Sequence, residues 1–194
     1  MVGRRAATGL VFAAVGLTAA GCLGGATKTV TVEHTQTVTT TQRVTTTQSA
    51  TSGKPCSGTE LAATFVLIPN SAGAGQIAYT LDVRNSSQSA CSLHGAPDGT
   101  LLGASGTALP THVKPVEKSG RRIVLPPGAS ATAQARFSPD VAGQGDSQSG
   151  TCQPQAHTFQ LNAEGGGVTE ALIKPPTSVC EQGTLNFEPF SYAG

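Results

Sequence analysis

Residues 76–84 read QIAYTLDVR and decide the fold class, because apolar and polar side chains alternate along them. Four larger side chains, Ile77, Tyr79, Leu81 and Val83, fall on one face, and the other face carries Gln, Ala, Thr, Asp and Arg. A period of two is typical of a β-strand with one face in the core and the other in solvent. Residues 129–137 repeat the pattern with smaller side chains. The sequence therefore predicts antiparallel β-sheet.

Short runs of similar character, separated by Gly, Pro, Asn and Ser, continue on both sides of this segment. With 24 Gly, 12 Pro and 12% charged residues, the composition favours short strands over long helices. The predicted strands are Leu61 to Ile68, Gln76 to Arg84, Gly99 to Leu102, Arg122 to Leu125, Ser130 to Phe137, His157 to Asn162, Thr169 to Ile173 and Leu185 to Glu188. We expect residues 55–194 to form an all-β domain, an antiparallel β-sandwich of immunoglobulin-like type, with a small barrel as the alternative.

The first 21 residues, MVGRRAATGLVFAAVGLTAAG, have the pattern of a secretory signal: a basic head followed by an apolar stretch too short to span a membrane. The tetrapeptide Ala19-Ala20-Gly21-Cys22 resembles the bacterial lipobox, although Ala19 stands where Leu is preferred. We therefore expect residues 1–21 to be a lipoprotein signal peptide. Cys22 would carry the lipid, which would hold the protein on the extracytoplasmic face of the cell membrane. The alternative is an ordinary signal, with Cys22 as a free thiol.

Residues 22–54 are dominated by Thr, Val and Gln and contain few large apolar side chains. Such a segment cannot bury enough apolar surface to offset the entropy lost on ordering. We expect a disordered, Thr-rich tether between the lipid and the domain. Alternation of Thr with Val leaves a single β-strand as the alternative.

The chain has five cysteines, and acylation of Cys22 would leave an even number to pair. The remaining cysteines are Cys56, Cys91, Cys152 and Cys180. Three connectivities are open. We favour Cys56 with Cys91 and Cys152 with Cys180, because each pair brackets one predicted hairpin. Zinc binding is the alternative, but no C-x-x-C spacing is present.

Two motifs, taken with the order of the cysteines, carry a family resemblance. Cys91-Ser92-Leu93-His94-Gly95-Ala96-Pro97 has the form C-x-L-x-G-x-P, and residues 125–131 read LPPGASA. Between about Cys56 and Pro189 the chain resembles the domain-of-unknown-function family 4232, which occurs in exported proteins and lipoproteins of actinobacteria. Ala96 and the lack of a Trp near Phe137 depart from the family pattern. The resemblance implies a fold and a location, and no activity.

The sequence contains no G-x-S-x-G, H-E-x-x-H, P-loop or dinucleotide-binding motif. The domain histidines, His94, His112 and His157, lie in separate segments, so a shared metal site would need the fold to bring them together. Residues 140–149 only weakly resemble a calcium loop and are expected to be solvated. We predict no enzymatic activity, no cofactor and no metal. A hydrolase or a metal-binding protein is the less favoured reading.

The charge balance argues against a nucleic-acid partner. Two of the 12 basic residues lie in the signal, so 10 basic and 11 acidic residues remain after its removal. One positive cluster, comprising Lys114, Lys118, Arg121 and Arg122, is a candidate binding loop. We predict a non-catalytic interaction module that binds an envelope protein or a glycan. A structural or accessory envelope protein is the alternative, and the sequence leaves the oligomeric state open.

Overall fold

The computed structural model describes residues 53–193, which form eleven strands and two short turns. The strands are Leu61–Leu67 (β1), Ile77–Asn85 (β2), Cys91–His94 (β3), Gly99–Leu102 (β4), His112–Pro115 (β5), Arg122–Leu125 (β6), Ser130–Phe137 (β7), Gln155–Asn162 (β8), Val168–Ser178 (β9), Thr184–Phe187 (β10) and Ser191–Tyr192 (β11). A 3-10 turn covers Gly58–Glu60, and a tight turn covers Cys180–Gly183. No helix in this part of the chain is long and apolar enough to span a bilayer. The predicted signal peptide, Cys22 and nearly all of the predicted tether lie outside the described residues.

Nine strands form one sheet in the order β4-β8-β9-β1-β2-β7-β10-β5, with β11 paired to β7. Most neighbours are antiparallel, as predicted, but β1 with β9 and β10 with β5 are parallel. The outermost strands, β4 and β5, are not paired with each other, so the sheet is open and the barrel alternative does not apply. Strands β3 and β6 form a separate two-stranded sheet.

The large sheet folds over on itself around β1. The ring of Phe65 in β1 lies 5.3 Å from that of Tyr79, 5.7 Å from that of Phe159 and 5.8 Å from that of Phe187. Phe159 in β8 and Phe187 in β10 are 5.5 Å apart, although four strands separate them in the sheet. The two halves of the sheet therefore face each other, and the predicted all-β sandwich is confirmed.

Strands β2 and β7 bury the faces that the sequence assigned to the core. Tyr79 pairs with Ala135, Leu81 with Ala133 and Val83 with Ala131, and all six side chains are buried. In each of these cross-strand pairs a large side chain lies opposite an alanine, so the two side chains together fill the space between the halves of the sheet without overcrowding it. The Tyr79 hydroxyl donates a hydrogen bond of 2.8 Å to the carbonyl oxygen of Pro175, and burial raises the pKa of Tyr79.

Both favoured disulfides are present. Cys56 is bonded to Cys91 with their Cα atoms 4.8 Å apart, and Cys152 to Cys180 with theirs 5.5 Å apart. Each closes over one hairpin, β1–β2 or β8–β9. Because all four sulfurs are used, the zinc alternative does not apply.

Asn85 joins the small sheet to the large one. Its side chain is fully buried at the end of β2, and its Nδ2 donates to the carbonyl oxygens of Ser89 at 2.8 Å and Leu125 at 2.9 Å. Its Oδ1 accepts from the backbone N–H of Ser87 at 2.9 Å. Every polar atom of this buried amide is therefore satisfied.

The sandwich has two distinct ends, which β1 connects. We call the end at Leu61 the proximal end and the end at Leu67 the distal end. The chain enters at the proximal end, where the backbone N–H of Cys56 donates to the oxygen of Ser92 at 3.0 Å and the oxygen of Cys56 accepts from Gly165 at 2.9 Å. The last described residue, Ala193, is also there and donates to Ser130 at 3.1 Å. The loops at the distal end are therefore remote from both described chain ends.

Candidate binding surface

The four cations of the predicted binding loop are exposed but do not converge. Lys114 lies on β5, Lys118 and Arg121 lie between β5 and β6, and Arg122 begins β6. Arg122 is already engaged: its Nη1 donates to Ser92 Oγ at 2.9 Å and lies 3.5 Å from the Glu164 carboxylate. Lys114 and Arg121 line two different grooves. The predicted loop is thus divided between separate surfaces.

The larger groove lies at the distal end and has a volume of about 690 Å³. We call it the distal groove. Strand β5, the loop before β8 and the turn before β10 form its walls. Its exposed polar side chains are those of His112, Lys114, Gln144, Glu181 and Gln182. An acid, a base and two amides therefore offer both hydrogen-bond donors and acceptors.

The turn that forms one wall of the distal groove is left-handed over three consecutive residues. The φ angles are 53° at Glu181, 55° at Gln182 and 77° at Gly183. Glycine adopts this conformation readily, but for other residues it costs about 1–2 kcal/mol each. Such a turn persists only where its surroundings determine it.

Asp146 holds the turn in this left-handed conformation. Its carboxylate accepts hydrogen bonds from the backbone N–H groups of Glu181, of Gln182 at 2.8 Å and of Gly143 at 2.8 Å, and from Gln153 Nε2 at 2.7 Å. Burial acts to raise the pKa of Asp146, but the four hydrogen bonds outweigh it and lower the pKa from 3.8 to about 2. The ionised carboxylate therefore clamps the turn at neutral pH.

Most of residues 140–149 are exposed, as expected of a solvated loop, but Asp146 within that loop is only 8% exposed. Its ligand atom and those of Cys152 and Cys180 lie within 4.8 Å of one another, the spacing of a metal site. Both sulfurs belong to the disulfide, however, and the carboxylate oxygens already accept N–H donors. These three residues are therefore part of a structural clamp.

A second groove, of about 480 Å³, runs along the side of the domain. We call it the side groove. It lies between the connection Val116–Arg121 and the C-terminal segment Glu188–Tyr192. Val116 is 62% exposed and Tyr192 57% exposed. The groove thus combines two solvent-facing apolar groups with the cation of Arg121.

A third, smaller pocket of about 230 Å³ lies at the proximal end. Leu93 and Pro97 of the C-x-L-x-G-x-P motif line it, together with Phe190. On its rim, His94 Nδ1 lies 3.7 Å from Glu164 Oε1. Since His112 lines the distal groove at the opposite end, the domain histidines do not form one site.

A family model described as "Domain of unknown function (DUF4232)" matches residues 56–191. The chain belongs to the DUF4232 family. The matched range contains both disulfides, the distal groove and the proximal pocket of this DUF4232 domain, and every residue that lines the side groove except Tyr192. The resemblance based on the cysteine order and the two motifs is therefore confirmed. No curated protein and no solved structure matches the chain.

Proposed function

We propose that the protein is a lipoprotein of the cell envelope, anchored through Cys22, whose DUF4232 domain is a non-catalytic interaction module. The observation that carries the proposal is the position of the distal groove, at the opposite end of the sandwich from the point where the chain enters. An anchor preceding the domain would hold the proximal end. The distal groove would then face away from the membrane, toward a partner in the envelope.

The chemistry of the distal groove supports a binding role. The side chains of His112, Lys114, Glu181 and Gln182 make no hydrogen bond to any other residue between 53 and 193, so their polar atoms are available to a partner. The backbone beneath Glu181 and Gln182 is held by the Asp146 clamp and by the disulfide at Cys180. A preorganised wall reduces the entropy lost on binding. Mixed donors and acceptors suit a glycan or a polar protein surface.

The binding role is tested by comparing two double variants with the same charge change. Lys114→Ala with Glu181→Ala removes a base and an acid from the distal groove, whereas Lys118→Ala with Glu117→Ala removes the same pair elsewhere. In-cell crosslinking followed by mass spectrometry should show a specific partner that the first variant loses and the second keeps. Retention of the same partner by both variants would exclude the distal groove as its binding site.

The anchor is tested separately. Cys22→Ala should move the protein from the detergent phase to the aqueous phase of a detergent partition, because the acyl chains would be lost. Cys152→Ala with Cys180→Ala leaves Cys22 in place and should stay in the detergent phase. If the Cys22→Ala protein remained with the membrane, the lipid anchor would be ruled out.

A further inference from the structure

The outer edge of β6 has no neighbouring strand among residues 53–193. On its inner edge β6 pairs with β3, where Leu93 lies opposite Ile123 and Ser92 opposite Val124. Backbone groups of an antiparallel strand point alternately to its two sides. Since Ser92 N–H points away from β6 and donates to Lys54 at 2.9 Å, Val124 opposite it points its own N–H and C=O outward.

A side chain occupies the place of the absent neighbour. The Tyr192 hydroxyl donates to the carbonyl oxygen of Val124 at 2.9 Å and accepts from the N–H of Val124 at 3.3 Å. One hydroxyl thus makes the pair of bonds that the N–H and C=O of one residue in an added antiparallel strand would make. Tyr192 is 57% exposed, so its ring can turn into solvent without leaving a cavity in the core.

The side groove provides room for a strand at this edge. Strand β11, which carries Tyr192, pairs with β7, and the length of the tyrosine side chain separates β11 from β6. An added strand needs only about 4.8 Å from its neighbour. The groove begins where β5 ends. Strand β5 is paired with β10, and the last bond of this pairing is donated by the N–H of Val116 to the carbonyl oxygen of Phe187 at 2.8 Å. Pro115 blunts the free edge of β5 itself, so β6 is the available template.

The walls of the side groove indicate the side chains that such a strand would carry. Ile123 and Phe190 lie at the base, 7% and 8% exposed, beside the open side chain of Val116. Arg121 forms no ion pair with another described residue. The acids on the walls are Glu117 and Glu188. Apolar residues at alternate positions complement the apolar base of the groove, and one acid finds an oppositely charged partner only at Arg121, the single cation of the lining.

We propose that the β6 edge and the side groove bind an extended, alternately apolar peptide segment of another protein by strand addition. The segment displaces the Tyr192 hydroxyl and takes over the two hydrogen bonds of Val124. Its acidic side chain pairs with Arg121. This site is separate from the distal groove and does not depend on what the distal groove binds.

The probe is a fluorescent hexapeptide, Ile-Ser-Leu-Asp-Leu-Ser, a sequence that this chain does not contain, blocked at both ends, with a matched peptide that is N-methylated at alternate residues. Anisotropy titrations use the full chain in detergent. The unmethylated peptide should bind, and Tyr192→Phe should tighten binding by about three- to tenfold because a competing hydrogen-bonding group is removed. Arg121→Ala should weaken binding by a similar factor, while Lys114→Ala with Glu181→Ala should leave it unchanged.

The expected structural signature is a shift of the Val124 amide resonance on addition of the peptide. Equal binding of the methylated and unmethylated peptides would overturn strand addition, since methylation removes the backbone donors. Absence of binding to both the wild type and Tyr192→Phe up to about 1 mM would also overturn it. A peptide that binds with no change at Val124 would assign its site elsewhere and refute the proposal.

Discussion

Asp146 shows how one carboxylate can fix the shape of a surface groove. It receives hydrogen bonds from the turn at Glu181 and Gln182 and from the loop at Gly143, so two walls of the distal groove are joined through a single side chain. The local sequence does not indicate this role, because the donors in the turn, Glu181 and Gln182, lie 35 and 36 positions away. A lone Asp in a Gly- and Ser-rich segment reads as solvated. Its role depends on the long-range packing of the loop.

Replacement of Asp146 tests the clamp. Asp146→Asn keeps the shape but puts an NH₂ group where the carboxylate accepts hydrogen bonds, so we expect Tm at pH 7 to fall by on the order of 5–10 °C. Because folding lowers the pKa from 3.8 to about 2, the ionised form stabilises the fold above pH 3.8. That contribution is lost as the pH falls through about 2, so the two proteins should converge there.

Thermal unfolding followed by circular dichroism between pH 7 and pH 2 measures this difference. Asp140→Asn is the matched control, since Asp140 is an exposed carboxylate of the same loop and should change Tm little. A difference between wild type and Asp146→Asn that is independent of pH would contradict a role for the ionised carboxylate.

Gly183 and Gly106 form a second pair for comparison. Both have positive φ, 77° and 76°, but a Cβ on Gly183 would overlap the carbonyl oxygen of Pro110, whereas a Cβ on Gly106 meets nothing within 4 Å. Gly106→Ala should therefore lower the free energy of unfolding by only about 1 kcal/mol, the penalty for placing alanine in a left-handed conformation. Gly183→Ala should cost at least about 3 kcal/mol, because backbone must move as well. Urea unfolding measures the free energy of unfolding of both variants. Equal decreases would contradict the prediction, because they would show that the backbone near Pro110 moves aside at little energetic cost.

At the scale of elements, the strands with clear alternation could be predicted and the others could not. Strands β2 and β7 match the expected bounds to within one residue, because each has a large or small apolar side chain at every second position. Strands β3, β5 and β11 were missed. β5 reads His-Val-Lys-Pro and resembles a loop, since an edge strand buries little and tolerates proline. The parallel pairing of β1 with β9 also has no local signal, because it joins residues more than 100 positions apart.

The candidate binding loop also shows that local sequence does not predict long-range arrangement. Lys114 and Arg121 are close in sequence, yet the connection between β5 and β6 passes from the large sheet to the small one and separates them. A cluster of charges in sequence predicts exposure correctly. It does not predict which surface each charge faces, because that depends on where the chain leaves one sheet for the other.

The position of β1 between the two halves of the sheet makes Phe65 the key aromatic residue of the core. Phe65→Ala removes a ring that contacts three others, so we expect the free energy of unfolding to fall by about 3–5 kcal/mol. Val66→Ala changes the adjacent residue on the outer face, which is 42% exposed, and should change stability by about 0.5 kcal/mol or less. Chemical denaturation compares the two. Similar losses would contradict the assignment of β1 as the strand that joins both halves.

At the scale of the whole molecule, the two disulfides tie opposite ends of the sandwich. Cys56–Cys91 closes 35 residues where the chain enters, and Cys152–Cys180 closes 28 residues beside the distal groove. On the loop-entropy model, replacing either pair by alanine should lower the unfolding free energy by about 3–4 kcal/mol. Only the loss of Cys152–Cys180 should also weaken the binding that we propose for the distal groove. Urea unfolding without reductant measures stability, and a loss below about 1 kcal/mol for either pair would contradict the prediction.

The way in which β1 is paired has a mechanical consequence. Tension applied at residue 53 and resisted at the distal end acts along β1, whose seven residues are paired with β2 on one side and four of them with β9 on the other. Such a load is shared by both ladders in shear, so their hydrogen bonds must give way together instead of one after another. The Cys56–Cys91 bond, placed before β1 begins, passes part of the pull to β3 through a covalent link. We therefore expect the domain to resist unfolding when it is pulled from residue 53.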